Sequence, residues 1–342
     1  MPEPSALLAA VLLAGLPSAA YVLILNAIDR YEKEPWKLVI ASLVLGAFAV
    51  PLVSMAILAV LGHGFALPLG YASGAEPDPV ARIVEQVVAA AMLLALVRTV
   101  RHEFDDTLDG IVYGAALGAG LGAAETFLYV IGGTSQLQPS TLALLLASGL
   151  NQAFYGAVFG AIMGTVAHWR HRDRAWIVIG LGVATAAFLS AFHDTLPSML
   201  SRVVERPDAA TGFVTRSIAF LVNVLGIFLL GVIVVIAWRR EARILGQYLA
   251  PEVKAGVLRP EEVAGLASFR ARLARQAGEL RRRQFRQMRA IRQLDAIQGE
   301  LAFHNYRTAV RREPPSPEVG EDLRRRIRNL REVIENDRGT TA

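Results

Sequence analysis

The sequence predicts an all-α membrane protein, a polytopic bundle of about seven transmembrane helices followed by a cytoplasmic helical tail. Hydrophobic residues make up 54% of the 342 residues and charged residues 19%. Seven apolar runs reach about twenty residues, the length that crosses a bilayer core. The formal net charge is −4 over residues 1–238 and +9 over residues 239–342. We therefore predict a transmembrane domain over residues 1–240 and a basic tail over residues 241–342.

The first apolar run has no basic segment before it and is too long for the core of a signal peptide, so it is predicted to be a retained span. The chain contains no cysteine, which excludes disulfides, a thiol nucleophile and thiolate metal sites. The predicted spans cover approximately residues 5–27, 37–62, 80–100, 108–131, 141–167, 175–199 and 215–238.

Basic residues in the connections between spans alternate along the chain. The connections after the first, third and fifth spans are basic, whereas those after the second and fourth contain no Lys or Arg. By the positive-inside rule, this pattern predicts an N-terminus outside and a C-terminus in the cytoplasm, although the last outer loop also carries three arginines. The alternating residues are Arg30, Lys33, Lys37, Arg98, Arg101, Arg170, Arg172 and Arg174.

The tail is predicted to contain a long helix from about Pro260 to Val310 and a shorter one from Asp322 to Ile334. Prolines predict a break near residues 311–318, and apolar stripes on both helices favour a hairpin. The basic outer face is interpreted as solvated, with contact to anionic lipid headgroups as the alternative. Interspersed acidic residues and the lack of aromatic-basic alternation predict no nucleic-acid partner.

Polar side chains lie inside four of the predicted spans. An ionisable group within a span costs roughly 2.5–3.5 kcal/mol on insertion scales, so such residues point to a function. In the predicted orientation they all lie in the outward half of the membrane, where we expect them to converge. These residues are Glu85, Gln86, Glu125, Asn151, Gln152, His193 and Asp194.

Small residues recur at intervals of four in spans four, five and six, on the faces that carry these polar groups. Small residues at this spacing allow helix backbones to approach closely, so these faces are predicted to point into the bundle. The series are Gly110, Gly114, Gly118 and Gly122 in span four, Gly156, Gly160 and Gly164 in span five, and Gly182, Ala186 and Ser190 in span six.

The residue types admit three interpretations. Carboxylates and an imidazole at one level can hold zinc or activate a water molecule as a general base. The amides can instead join helices by hydrogen bonds. Acidic spans for which the sequence offers no evident cationic partner also fit a cation-conducting or proton-coupled path, and the residues alone leave these interpretations open.

Three segments carry a resemblance to a known family. They read Asp29-Arg-Tyr-Glu-Lys-Glu-Pro-Trp-Lys, Glu103-Phe-Asp-Asp-Thr-Leu-Asp-Gly-Ile-Val-Tyr-Gly and Glu125-Thr-Phe-Leu-Tyr. These segments resemble the PrsW family of intramembrane proteases, part of the wider CAAX-protease and bacteriocin-processing superfamily. The resemblance implies a place in the bacterial cytoplasmic membrane and cleavage of a membrane-anchored substrate, such as an anti-sigma factor, near the outer face.

The match at the expected active groups is incomplete in spans three and five. Glu85 matches the first of two family glutamates, but Gln86 replaces the second, and Ala89 stands where the family has a lysine. Gln152 stands where the family has a histidine that opens span five. A neutral amide cannot accept a proton as a general base and is a poor metal ligand.

The match is better in spans four and six. Glu125 corresponds to the family glutamate, although Thr126 replaces the usual asparagine, and His193 with Asp194 corresponds to the last family motif. The resemblance implies that Glu85 is a general base or metal ligand, that Glu125 and His193 bind zinc or orient the reacting groups, and that Asp194 supports His193.

The function expected from this combination is that of a protease-family protein that cleaves or binds a transmembrane protein, with activity reduced or lost through Gln86 and Gln152. One alternative is a non-catalytic scaffold that binds a transmembrane partner and presents its tail to cytoplasmic proteins. A cation-coupled transporter is the other. The expected partners are a transmembrane protein and the lipid bilayer.

Overall fold

The computed structural model describes residues 4–29, 34–63, 78–100, 104, 106–132, 139–167, 169, 172–203, 209–268, 271, 274, 277–278, 285–310 and 317–339. These residues form ten helices. They are α1 (Pro4–Ile28), α2 (Trp36–Val60), α3 (Pro79–Thr99), α4 (Thr107–Ile131), α5 (Pro139–Val166), α6 (Arg172–Val203), α7 (Ala209–Lys254), α8 (Pro260–Ala267), α9 (Phe285–Val310) and α10 (Pro317–Gly339). The all-helical fold class is confirmed.

Helices α1 to α6 begin and end within about four residues of the first six predicted spans, whereas α7 continues to Lys254, well beyond the predicted end of span seven at residue 238. Five helices of the described chain are long and apolar enough to cross a membrane: α1, α2, α3, α4 and residues Asp173–Leu196 of α6. Helices α5 and α7 form at the positions predicted for spans five and seven. A multi-pass membrane protein is therefore established, and the count of seven spans stays a prediction.

Local sequence signals define the starts of the two helices that carry Glu85 and Glu125. Asp78 caps α3, since its carboxylate accepts a hydrogen bond from the Val80 amide at 2.9 Å, and Pro79 occupies the first helical position. Asp106 and Asp109 form a capping box at the start of α4, with Asp106 accepting from the Leu108 amide at 2.6 Å. These caps fix the point at which each helix enters the bundle.

Helix α4 is the central element of the membrane unit. In the most apolar 18-residue stretch of α4, 78% of the stretch is buried, whereas the buried share of the corresponding stretch is 22% in α1 and 22% in α2. It packs against α1, α2, α3 and α5, while α6 packs against α3 and α5. The large apolar side chains that remain exposed on α1, α2 and α6 form the surface expected to face lipid.

The predicted glycine faces of α4 and α5 lie directly against each other. A Cβ atom added at any of these glycines would overlap backbone atoms of the opposite helix, so only glycine permits this approach. The prediction of a protein-facing seam is therefore confirmed. The opposed residues are Gly110 with Gly160, Gly114 with Gly156, Gly118 with Gln152, and Gly122 with Gly149.

The chain divides into two compact units, and the division falls within α7 between Val234 and Val235. The second unit has its own apolar core, which includes Leu245 and Leu249 of α7, Leu301 of α9 and Ile327 of α10. The domain boundary predicted at residue 240 rests on composition and stays a prediction. The proline break predicted near residues 311–318 lies mostly outside the described residues.

The prediction of one continuous tail helix from Pro260 to Val310 is wrong at Ser268, where the helix is interrupted. Helix α8 ends at Ala267, and Ser268 has an extended backbone with φ −102° and ψ 111°. The backbone is helical again at the described residues Ala271, Ala274, Ala277 and Gly278, and α9 packs against α10. The alternation of apolar and basic residues across this stretch is compatible with a helix, but Ser268 favours a non-helical backbone through its competing hydroxyl.

Candidate functional site

A cluster of buried polar side chains lies within the membrane unit, and helices α3, α4, α5 and α6 each contribute to it. Five of its members are at most 4% exposed to solvent. Buried polar groups in a bilayer must satisfy one another, because no water is available in the hydrocarbon core. The five are Arg82, Glu85, Gln86, Glu125 and Gln152, and Asp194, whose side chain is 11% exposed, joins them.

Arg82 of α3 is at the centre of this cluster. Its Nη1 donates to Glu85 Oε2 at 3.1 Å and to an oxygen of Glu125 on α4. Its Nε lies 2.5 Å from Oδ2 of Asp194 on α6. One guanidinium therefore joins three helices through three carboxylates, as its planar set of donors allows.

The two glutamines form a chain that continues the network. Gln86 Nε2 donates to Gln152 Oε1 at 2.8 Å, and Gln152 Nε2 donates to Glu125 Oε1 at 2.7 Å. These bonds connect α3, α5 and α4. The amides thus act as interhelical hydrogen-bonding groups, the role that the residue types alone already allowed.

His193 lies beside the network and contacts a different amide. Its Nε2 is 3.1 Å from Asn151 Nδ2, and both side chains are half-buried. Asn151 directly precedes Gln152 on α5, and His193 directly precedes Asp194 on α6. The two helices that contribute Gln152 and Asp194 to the network therefore also form the Asn151–His193 contact. The imidazole is therefore held by α5 at the edge of the cluster.

Glu85 is the most buried member of the cluster, with 0% exposure. Its Oε2 accepts from Arg82, whereas its Oε1 has no hydrogen-bond partner. A buried carboxylate oxygen without a partner loses the stabilisation that water would give it. Glu85 therefore has unused hydrogen-bonding capacity inside the bundle.

The structure brings together the polar residues that the sequence placed in spans three to six. Glu85, Gln86, Glu125, Gln152 and Asp194 belong to one network, and the Asn151–His193 pair adjoins it. Their proposed catalytic roles stay predictions.

Sequence reasoning missed Arg82, and the inference that the acidic spans lack a cationic partner is wrong. The signal was present, because Arg82 and Glu85 are three residues apart on one helix and such residues are neighbours. Arg82 also precedes the buried Ala89 by seven residues, which places both on one face of α3. Ala89 is the position where the resemblance expects a lysine.

The structure is a multi-pass helical bundle in which carboxylates, a pair of amides and an imidazole lie together inside the spans. The protein is therefore a polytopic membrane protein with a buried, ionisable site. A family model described as PrsW family intramembrane metalloprotease matches residues 34–230. The match covers more than half of the chain, and the protein belongs to this family. Neither a curated protein nor a solved structure matches the chain.

The family description implies a metal ion, but Arg82 already occupies the position between the three carboxylates of the cluster. Within the ranges that the structure describes, no three His, Cys, Asp or Glu side chains are grouped so that they could hold a metal. Gln86 and Gln152 are poor ligands, and the carboxylates already bond to Arg82. Zinc binding by Glu125 and His193 stays a prediction.

Proposed function

We propose that this PrsW-family protein binds a membrane-anchored polypeptide at the buried cluster, near the outer face of the bacterial cytoplasmic membrane, and cleaves it slowly or not at all. An anti-sigma factor is the type of partner implied by the family resemblance. The bound segment lies between the helices, and the tail faces the cytoplasm.

The Gln86–Gln152 pair carries this proposal. Each amide is engaged with the other or with Glu125, and neither can accept a proton at neutral pH. General acid–base catalysis typically contributes about 10²–10⁴-fold to a rate, so its loss leaves binding with little turnover. Glu85 Oε1 is an acceptor within the network that a backbone N–H of a bound segment can use.

Binding and cleavage can be measured separately in liposomes with a single-span reporter protein that has an outer domain. A photoreactive amino acid at Leu150, which is 43% exposed and adjacent to Asn151, should cross-link the reporter. The same group at Leu12 of α1, which is 47% exposed, is the matched control and should not. Gel electrophoresis should show an intact reporter. Equal cross-linking at both positions would refute a binding site at the cluster.

Peptide hydrolysis is the second candidate, and the unpartnered Oε1 of Glu85 favours it. This oxygen could accept a proton from a water molecule that enters with the substrate. Reporter cleavage that is lost in Glu85→Gln and in His193→Ala would support hydrolysis and contradict the slow or absent turnover proposed above.

The proposed orientation has the N-terminus outside and the C-terminus inside, on the basis of the charge alternation. The native chain lacks cysteine, so single-cysteine variants report accessibility without background. A Gln136→Cys variant, at a position outside the described residues, should react with an impermeant reagent in intact cells. A Lys254→Cys variant should react only after permeabilisation, and the reverse pattern would refute this orientation.

A further inference from the structure

The three carboxylates around Arg82 have the chemistry of a cation site. Glu85, Glu125 and Asp194 come from three different helices, and all three direct an oxygen at the same guanidinium. Carboxylate oxygens are the ligands that Zn²⁺, Mn²⁺ and other divalent cations accept in proteins. In this protein the cation between the three carboxylates is a side chain, the guanidinium of Arg82.

We propose that Glu85, Glu125 and Asp194 form a cation site whose resident cation is the Arg82 guanidinium, so that the site takes no divalent metal ion while Arg82 is in place. This proposal rests on the geometry of the cluster and not on the proposed function. Zinc content and reporter binding are separate measurements, so either proposal can fail without the other.

Distance and charge both argue that the guanidinium excludes a metal. The Arg82 nitrogens lie 3.1 Å from Glu85 Oε2 and 2.5 Å from Asp194 Oδ2. A zinc ion would need carboxylate oxygens at about 2.0–2.2 Å in the space that these nitrogens fill. The guanidinium also stays protonated at every physiological pH and repels a second cation at this range.

The unpartnered oxygen of Glu85 shows that the guanidinium fills this site incompletely. Glu85 is fully buried, and its Oε1 has no hydrogen-bond partner, although its Oε2 accepts from Arg82. The site therefore has more acceptor capacity than Arg82 uses. Removal of the guanidinium would leave three buried carboxylates without their cation, and a divalent ion that draws their oxygens together could replace it.

The test measures zinc bound to detergent-purified full-length protein after incubation with ZnCl₂ and buffer exchange, together with the thermal unfolding midpoint with and without EDTA. Wild type should retain no zinc, and EDTA should not change its midpoint. Arg82→Ala should bind zinc about 10-fold or more tightly than wild type, the scale of change that altered ligand surroundings produce. EDTA should lower the midpoint of the zinc-loaded variant.

Three variants control for effects other than the charge at this position. Arg82→Lys keeps a cation and should stay free of zinc. Arg98→Ala removes an exposed arginine from the other end of α3 and should also stay free of zinc. Arg82→Ala combined with Glu85→Gln should lose the zinc that Arg82→Ala gains, because one of the three carboxylates is gone.

Two results would overturn the proposal. One is stoichiometric zinc in wild type that disappears in Glu85→Gln, since a metal would then bind in the presence of Arg82. The other is a folded Arg82→Ala variant that binds no more zinc than wild type. If Arg82→Ala does not accumulate, the zinc content of wild type and of Arg82→Lys decides the question.

Discussion

The membrane unit and the tail unit stabilise their charged groups in different ways. In the membrane unit, Arg82 bonds to three carboxylates and is 4% exposed. In the tail, Arg324 forms two hydrogen bonds to Glu252, at 2.9 and 2.6 Å, and its side chain is 29% exposed. Arg324 in the tail can therefore still contact water, whereas Arg82 in the bundle depends on the carboxylates around it.

The two units also differ in how their helices pack. Backbone contact through glycine joins α4 to α5, whereas Leu, Ile and Phe side chains form the core of the tail. Burial of apolar surface drives association in water but not between helices in lipid, where close contact and interhelical hydrogen bonds replace it. Substitutions should therefore have their largest effects at glycines and charges in the bundle and smaller effects at ion pairs in the tail.

The largest effect is expected at the glycine seam. Gly156→Leu or Gly160→Leu should prevent accumulation of folded protein, because even a Cβ atom at these positions overlaps a carbonyl of α4. Overpacking in ordinary cores costs about 1–3 kcal/mol, and rigid backbone cannot relax as a side chain does. Gly180→Leu in α6, where the space is open, is the matched control and should express normally. Equal yields of all three would rule out a tightly packed seam.

The next effect is expected at Arg82. Arg82→Ala leaves three carboxylates buried without their cation, and loss of one partner from a buried ion pair typically costs about 3–5 kcal/mol. The thermal midpoint in detergent with EDTA should fall clearly. Arg98→Ala, at an exposed position of the same helix, should change the midpoint little. A midpoint unchanged by Arg82→Ala would mean that the cluster does not hold the helices together.

A smaller effect, dependent on pH, is expected in the tail. Hydrogen bonds from Arg324 and then from Asn305 hold the pKa of Glu252 below its usual value. Because the folded pKa is the lower one, this pair contributes fully above the ordinary Glu pKa, and the contribution is lost as the pH falls through the lowered value. Hydrogen exchange in α10, corrected for intrinsic rates, should therefore accelerate on acidification.

The variant Glu252→Gln is the control for this pH dependence. It cannot be protonated in this range, so exchange in α10 should be faster at neutral pH and should change less on acidification. The expected loss is about 1 kcal/mol, because the pair is charge-assisted but Arg324 is partly exposed. A pH profile equal to that of wild type would assign the acid sensitivity to other groups.

The smallest effect is expected at the exposed pair of Arg259 and Glu335. Their side chains are 57% and 52% exposed, although Arg259 Nη2 lies only 2.6 Å from Glu335 Oε1. Surface ion pairs contribute little, because water and salt screen them. Glu335→Gln should leave hydrogen exchange in α8 and α10 unchanged. A loss as large as that in Glu252→Gln would show that burial does not determine the strength of these pairs.

The sequence was sufficient to predict most of the fold. Apolar runs gave the seven bundle helices, and the spacing of Gly110, Gly114, Gly156 and Gly160 gave the faces on which α4 and α5 meet. The break after Ala267 could not be predicted, because the hydrophobic pattern continues across it and a single serine decides the backbone there.

The site was predictable in its members but not in its connections. Each buried carboxylate and amide was identified, because a polar residue within an apolar run is conspicuous. Arg82 was overlooked because it lies only a few residues inside its helix, where a long side chain often reaches the headgroup region. Only the three-dimensional arrangement shows that its side chain is instead turned into the bundle toward Glu125 and Asp194.

The central claim is that Gln86 and Gln152 replace the acid–base groups of the site, and restoration of those groups tests it most directly. Cleavage of the single-span reporter in liposomes would be compared between wild type and the double variant Gln86→Glu with Gln152→His. The double variant should cleave at least about 10²-fold faster than wild type, the lower range for general acid–base catalysis, and Glu85→Gln in that background should abolish the gain. Robust cleavage by wild type, lost on Glu85→Gln or His193→Ala, would contradict the claim.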